Sequence, residues 1–218
     1  MAIILFLIAI MIPKISIATE LEFPYQNDIP VENAKKGTIP KIHTVIDGIK
    51  LNKTTLSEAR SIFGAASSFR ASDSSESGND VLCYYSGKEK NRVALLLESG
   101  AMGGWKTITS FIMAPWEMLS EKARKRCAKS EKVNPKLSTR GGLRLGLPAE
   151  KLSGIGLSDP AVDSRGVMTF QYYSEQNAPY EKARRLGLSS LTERSIMSYV
   201  SMTLFDSKVY WFEVSWSE

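Results

Sequence analysis

Gly48-Ile49-Lys50-Leu51 returns as Gly142-Leu143-Arg144-Leu145, and Leu82-Cys83-Tyr84-Tyr85-Ser86 returns as Phe170-Gln171-Tyr172-Tyr173-Ser174. The offsets, 94 and 88 residues, differ by a few insertions and deletions, so the chain reads as one pattern written twice. Two further strand-like runs follow in each copy. They are Arg92 to Glu98 and Trp105 to Met113 in the first, and Ile196 to Phe205 and Lys208 to Trp216 in the second. Apolar residues alternate along them, as in Val93, Leu95 and Leu97, or Tyr210, Phe212, Val214 and Trp216, which is the signature of strands with one covered face. The serine-, aspartate- and glycine-rich stretch Ala71 to Asp80 and the pair Asp206-Ser207 read as turns.

Each copy opens with a helix signal. Thr55-Leu56-Ser57-Glu58 is a capping box, Leu56, Ala59, Ile62 and Phe63 share a face, and Gly64 is the stop. In the second copy Pro148 suits a first turn, Leu152 and Ile155 make the face, and Gly156 ends it, with Gly154 costing about 1 kcal/mol relative to Ala. Such short helices are stable only on a sheet. Between the copies, Pro115 followed by Trp116, Leu119, Ala123 and Cys127 predicts a third helix, which Asn134-Pro135 would end. The expected class is α+β: two tandem modules, each with a short helix on a three- to four-stranded antiparallel sheet, joined by a basic helix. The expected boundaries are 1–18 for a signal peptide, 19–44 for an extension, 45–114 for module one, 115–139 for the connector and 140–218 for module two.

The run Gly142-Leu143-Arg144-Leu145-Gly146-Leu147-Pro148-Ala149-Glu150-Lys151-Leu152, then Ile155-Gly156 and an aromatic strand, resembles the opening of SmpA/OmlA-type modules, which are similar in fold to the β-lactamase inhibitor protein. The resemblance covers about residues 45–114 and 140–217. Asn52 stands in the first copy where the family pattern has its first glycine, and Ala178 to Arg194 is an insertion in the second. It implies tandem modules whose sheets form a concave, aromatic-lined surface that grips another protein.

Ala2 to Ile12 is an unbroken apolar run followed by Ser16-Ile17-Ala18. It is too short for a ~30 Å hydrocarbon core, which takes about 20 residues, and fits a secretory signal cut before Thr19. No Lys or Arg precedes the run, so an uncleaved N-terminal anchor is the alternative, and no cysteine after it offers a lipidation point. The expected location is periplasmic or secreted. In such a compartment Cys83 and Cys127 read as a disulfide, whose closed loop would contribute about 3–4 kcal/mol. The rival reading makes Cys83 a nucleophile with His43 as its base. Asn52-Lys53-Thr54 is a glycosylation triplet of weak specificity.

One histidine and two cysteines exclude most zinc sites and iron–sulfur ligation. No HExxH, P-loop, EF-hand or nucleophile-elbow spacing is present, and Gly154-Ile155-Gly156 lacks what a dinucleotide site needs. His43 reads as a surface or core histidine rather than a base, and Glu117 and Glu121 as solvated charges. We therefore expect no enzyme, no cofactor and no metal. Charge is uneven: Lys122 to Arg144 carries +8 in a chain of +5. Lys122, Lys125, Lys129 and Lys132 are the candidates for an anionic surface, the blander reading being a solvated helix face. Without interleaved aromatics in that stretch, nucleic acid is not an expected partner. In Tyr84-Tyr85, Tyr172-Tyr173 and Trp211-Phe212 one member of each pair must leave the core. Trp105, Tyr199 and Trp211 are the expected contacts for another protein on the open sheet face. The function expected is thus a non-enzymatic protein-binding module of the bacterial cell envelope. The alternatives are a structural factor held to anionic surfaces or an enzyme using His43.

Overall fold

The computed structural model describes residues 35–70, 79–87, 90–175 and 195–217. The expected signal segment 1–18, the stretch 19–34, nearly all of the Ala71–Asp80 turn and the insertion Ala178–Arg194 lie outside them. In chain order the elements are β1 (Lys35–Lys36), β2 (Val45–Ile46), β3 (Ile49–Lys50), α1 (Leu56–Phe63), β4 (Phe69–Arg70), β5 (Asp80–Tyr85), β6 (Val93–Ser99) and β7 (Ser110–Pro115). There follow α2 (Glu121–Arg124), β8 (Ala128–Lys129), β9 (Ala161–Val162), β10 (Met168–Glu175), β11 (Ser195–Phe205) and β12 (Lys208–Ser217). The class is α+β, mostly antiparallel sheet with few short helices.

Ten of the strands form one sheet in place of two separate ones. Its main path is β1-β10-β11-β12-β7-β6-β5-β4. The middle is an antiparallel seam in which Phe212, Glu213, Val214 and Ser215 face Met113, Ile112, Phe111 and Ser110. Strand roles therefore run first, second, third, then third, second, first. The edges correspond residue by residue. Phe69 and Arg70 pair with Val81 and Asp80, as Ala161 and Val162 pair with Thr169 and Met168. Ala128 and Lys129 run parallel to Tyr84 and Tyr85, as Lys35 and Lys36 do to Tyr172 and Tyr173. Each outer strand is thus flanked by the segment that leads into the opposite half.

The turns correspond as well. Gly48 and Gly142 both take φ +88°, and Asn52 (+58°) stands where Gly146 (+71°) does. Asparagine tolerates that left-handed backbone better than other side chains, which explains how it replaces a glycine. Asn52 N–H donates to Ile108 O and Gly146 N–H to Val209 O, while Leu56 and Ala149 donate to Lys106 and Ser207. At the β11–β12 turn Asp206 and Ser207 both have positive φ, as a two-residue type I′ hairpin requires.

The capping box of α1 forms as expected: Glu58 N–H donates to Thr55 Oγ1 and Thr55 N–H to the Glu58 carboxylate. Leu56, Ala59 and Phe63 are buried against one face of the sheet, in the same core as Leu82, Leu95, Phe111, Val200 and Phe212. Truncating such a residue, Leu95 for example, costs about 2–5 kcal/mol. The counterpart of α1 is not an α-helix but two 3-10 turns, Ala149–Lys151 and Ser153–Ile155, ending at Gly156 with φ +83°. Gly154 in so short a segment leaves too little propensity for a full helix.

The connector also departs from a continuous helix. It is a 3-10 turn (Trp116–Met118), one turn of α2 and then β8. Leu119 is extended, and the Ser120 side chain accepts from Ala123 N–H, so the helix begins there. Pairing of β8 with β5 ends it. The expected inward residues survive the change: Leu119 and Ala123 are buried, with Trp116 and Cys127 partly so, against Cys83, Leu96, Ile112 and Trp211 on the second face of the sheet.

Candidate functional site

The second face is apolar under the connector and polar beyond it. One cross-strand row reads Gln171, Tyr199, Ser215, Ser110, Glu98. The next reads Thr169, Ser201, Glu213, Ile112, Leu96, Cys83. Two carboxyls are therefore buried in mid-sheet, Glu98 at 2% and Glu213 at 3% exposure. The Tyr199 hydroxyl donates to Glu213 Oε1 at 2.8 Å, and Asn79 Nδ2 to Glu98 Oε2 at 3.2 Å. Ser110 Oγ is 3.4 Å from the same Glu98 oxygen. Burial, reinforced by the charge of Glu98, pushes the Glu213 carboxyl up to about 8. Burial likewise holds Glu98 above the usual carboxylate range. Burial and the adjacent Glu213 raise the Tyr199 phenol well above its usual range. At neutral pH the Glu213 carboxyl is thus largely neutral. Its sequence signal was an acidic residue at an alternating position in Trp211-Phe212-Glu213-Val214, on the face opposite Phe212.

Of the three expected contact residues, Trp211 is buried at 4% exposure, covered by the connector rather than open. Tyr199 does lie on the second face, but its hydroxyl is tied to Glu213. Trp105 falls in a turn before β7 instead of in the strand; it is half-buried, with φ +60° and the Arg70 guanidinium 5.1 Å from its ring.

A different set of aromatics is partly exposed together. The Tyr85 and Trp116 rings lie 4.7 Å apart, and the Arg92 guanidinium stands 5.6 and 5.9 Å from them. Glu117, next in the chain, is 3.5 Å from the Tyr210 hydroxyl, and Tyr210 lies 5.7 Å from Phe205, which is 67% exposed. Met118 is partly buried beside them. Tyr85–Trp116 and Tyr210–Phe205 are therefore two aromatic pairs joined through Glu117 into one strip where the connector meets the β11–β12 turn. Sequence reasoning named the Tyr84-Tyr85 pair but missed the strip, because Trp116 sits in a 3-10 turn and Phe205 at the end of β11, beyond a register shift at Thr203/Leu204.

Cys83 and Cys127 form the disulfide, tying β5 to the connector. Neither is a free thiol, so the nucleophile reading of Cys83 falls. His43 is fully buried. Its Nε2 lies 2.8 Å from Ile155 O, which can only accept, so Nε2 carries the proton; Nδ1 then accepts from Thr139 Oγ1 at 3.1 Å. Burial lowers its pKa, opposed by the bond to Ile155. It pins the segment before β2 onto residues of the second half. Among the connector lysines, Lys125 pairs with Glu121 and Lys129 with Glu131. Lys132 lines an open groove with Lys136 and Asp47, and Lys122 has a contact of its own. The four do not converge on one spot.

Among the described residues no cluster of three His, Cys, Asp or Glu side chains could hold a metal, and no helix is long and apolar enough to cross a membrane. Comparison with protein-family models, curated proteins and solved structures returns no match for the chain.

Proposed function

We propose that this is an exported, non-enzymatic binding protein made of two fused modules of the SmpA/OmlA kind, gripping a partner protein through the Tyr85–Trp116–Tyr210–Phe205 strip. The mirrored strand order and matching edge registers support the doubled architecture. The disulfide favours an oxidising compartment such as the periplasm or the exterior. The single observation that carries the binding reading is the strip itself. Tyr, Trp, Met and Arg are the types enriched in interface cores, and here they stand together partly exposed, with Phe205 at the end.

A photo-crosslinking residue placed in turn at Trp116, Phe205, Ile42 and Val162 tests it in the living cell. Ile42 and Val162 are exposed apolar residues outside the strip. The expected result is one discrete protein adduct from Trp116 and Phe205 and none from the other two. Trp116→Ala should also weaken the identified complex by roughly thirtyfold, as loss of an interface anchor does. Adducts at all four positions, or at none, would refute the strip.

A further inference from the structure

We infer that the groove between residues 65–69 and the connector is a binding site for a phosphate-bearing ligand. It follows from how the sheet edge is built. β4 leaves β5 at Phe69, opposite Val81, and β8 joins β5 only at Ala128, opposite Tyr84. The two flanking segments splay apart between those points and enclose an open cavity of about 600 Å³, the size of a small-molecule site. Three cations line it: Arg60 from α1, and Lys125 and Arg126 from the connector. Among the described residues no acidic side chain does.

Both guanidinium groups are oriented before any ligand arrives. Arg60 Nε donates to Ala66 O at 2.9 Å, which fixes the plane of the group. The Arg126 guanidinium stands 5.5 Å from the Phe69 ring. Pre-oriented guanidinium forks suit the bidentate geometry of phosphate oxygens, and Lys125 adds a point charge. The Lys125–Glu121 pair is well exposed on both sides, so it competes weakly. Ser67 and Ser68 add hydroxyls, while Phe69, Ala66 and Ala128 supply an apolar wall for the rest of the ligand. The disulfide at Cys127, also in the lining, holds the connector wall in place.

The opposite end of the sheet provides the contrast. Between β9 and β1 the corresponding position to Ser67 is Asp159, and Lys35 is already engaged by it at 3.3 Å and by Ser158 O at 2.7 Å. There the positive charge is answered within the chain. At the β4–β8 end Lys125 has the exposed Glu121, while Arg60 and Arg126 line a groove whose described residues include no acidic side chain.

Phosphorus-31 NMR titration of the full chain with inorganic phosphate and phenyl phosphate, at low ionic strength, reads binding in solution. Co-sedimentation with phosphatidylglycerol or phosphatidylcholine vesicles reads the lipid source. Saturable one-site binding of the soluble phosphates assigns a free phosphate compound. Binding only to phosphatidylglycerol vesicles assigns a headgroup. In either case Arg126→Gln and Arg60→Gln each weaken binding roughly tenfold or more, because a charged hydrogen-bonding fork is lost. Lys136→Gln removes the same charge from the separate groove near Asp47 and should change binding by less than about twofold. Arg126 is exposed, so its variant retains the fold even if Arg60→Gln does not. Equal losses in all three variants, or no binding in either arm, would overturn the site. The aromatic strip plays no part in these readouts, so the two proposals fail independently.

Discussion

Glu213 sets a pH dependence that no surface residue could. Its carboxyl titrates near 8 in the folded chain and near 4.3 in the unfolded one. Between those values the folded state keeps a proton that the unfolded state has released, so stability falls as pH rises through about 4.5 to 8 and levels off above. Glu98, displaced the same way, adds to the decline. Glu213→Gln should flatten it, raising Tm at pH 8 by on the order of 5 °C or more relative to wild type while changing little at pH 4.5, as scanning calorimetry would show. His43 works in the opposite sense. Its folded pKa is lowered, so its contribution is present above about 6.5 and is lost on acidification. The ring is held so closely that a Cβ on Gly141 would lie 2.4 Å from His43 Cε1. With both ring nitrogens bonded it cannot step aside. Gly141→Ala should cost about 1–3 kcal/mol in a urea melt.

Among the elements, those written by local rules were legible in advance. The capping box of α1, the inward stripe of the connector and the Asp206-Ser207 turn all follow from side-chain chemistry within a few residues. The connector's conformation was not legible, because pairing of Ala128-Lys129 with Tyr84-Tyr85 is a contact across more than forty residues that no periodicity announces. Burial of Trp211 was hidden for the same reason: period two assigns a face, but only the path of the connector decides which part of that face is covered. The aromatic strip and the carboxyl pair both depend on register between distant strands. The disulfide belongs to this scale too, since it fastens the connector to β5. With its cysteines 44 positions apart in the chain, the chain-entropy relation gives about 4 kcal/mol. Cys127→Ala, or reduction, should lower unfolding free energy by about 3–4 kcal/mol; a change below about 1 kcal/mol would mean that the connector is held by packing alone.

For the molecule as a whole, β7 and β12 fuse what the sequence writes as separate halves into one sheet. One face has a continuous core running from α1 and the β2–β3 hairpin to Leu152 and Leu157. His43 crosses between halves, as do the Ile46–Thr139 bridge and the Arg140-to-Val45 hydrogen bond. Two autonomous modules would melt in separate steps. Shared core and shared edges predict one transition, with calorimetric and van't Hoff enthalpies agreeing. Two resolved peaks would show that the seam is weak.

The arms β1 and β8 give that unity a further meaning. Each is the strap of one half buckled onto the other, so neither half can be peeled away without stripping a border strand from both. A cut in the stretch between β8 and β9 would leave two pieces still joined through two strand borders, β1–β10 and β7–β12, and they should co-purify without any covalent join. Such lacing lets the outer surfaces diverge, one margin open to an anion and the other sealed by its own aspartate, while the relative placement of the halves stays fixed.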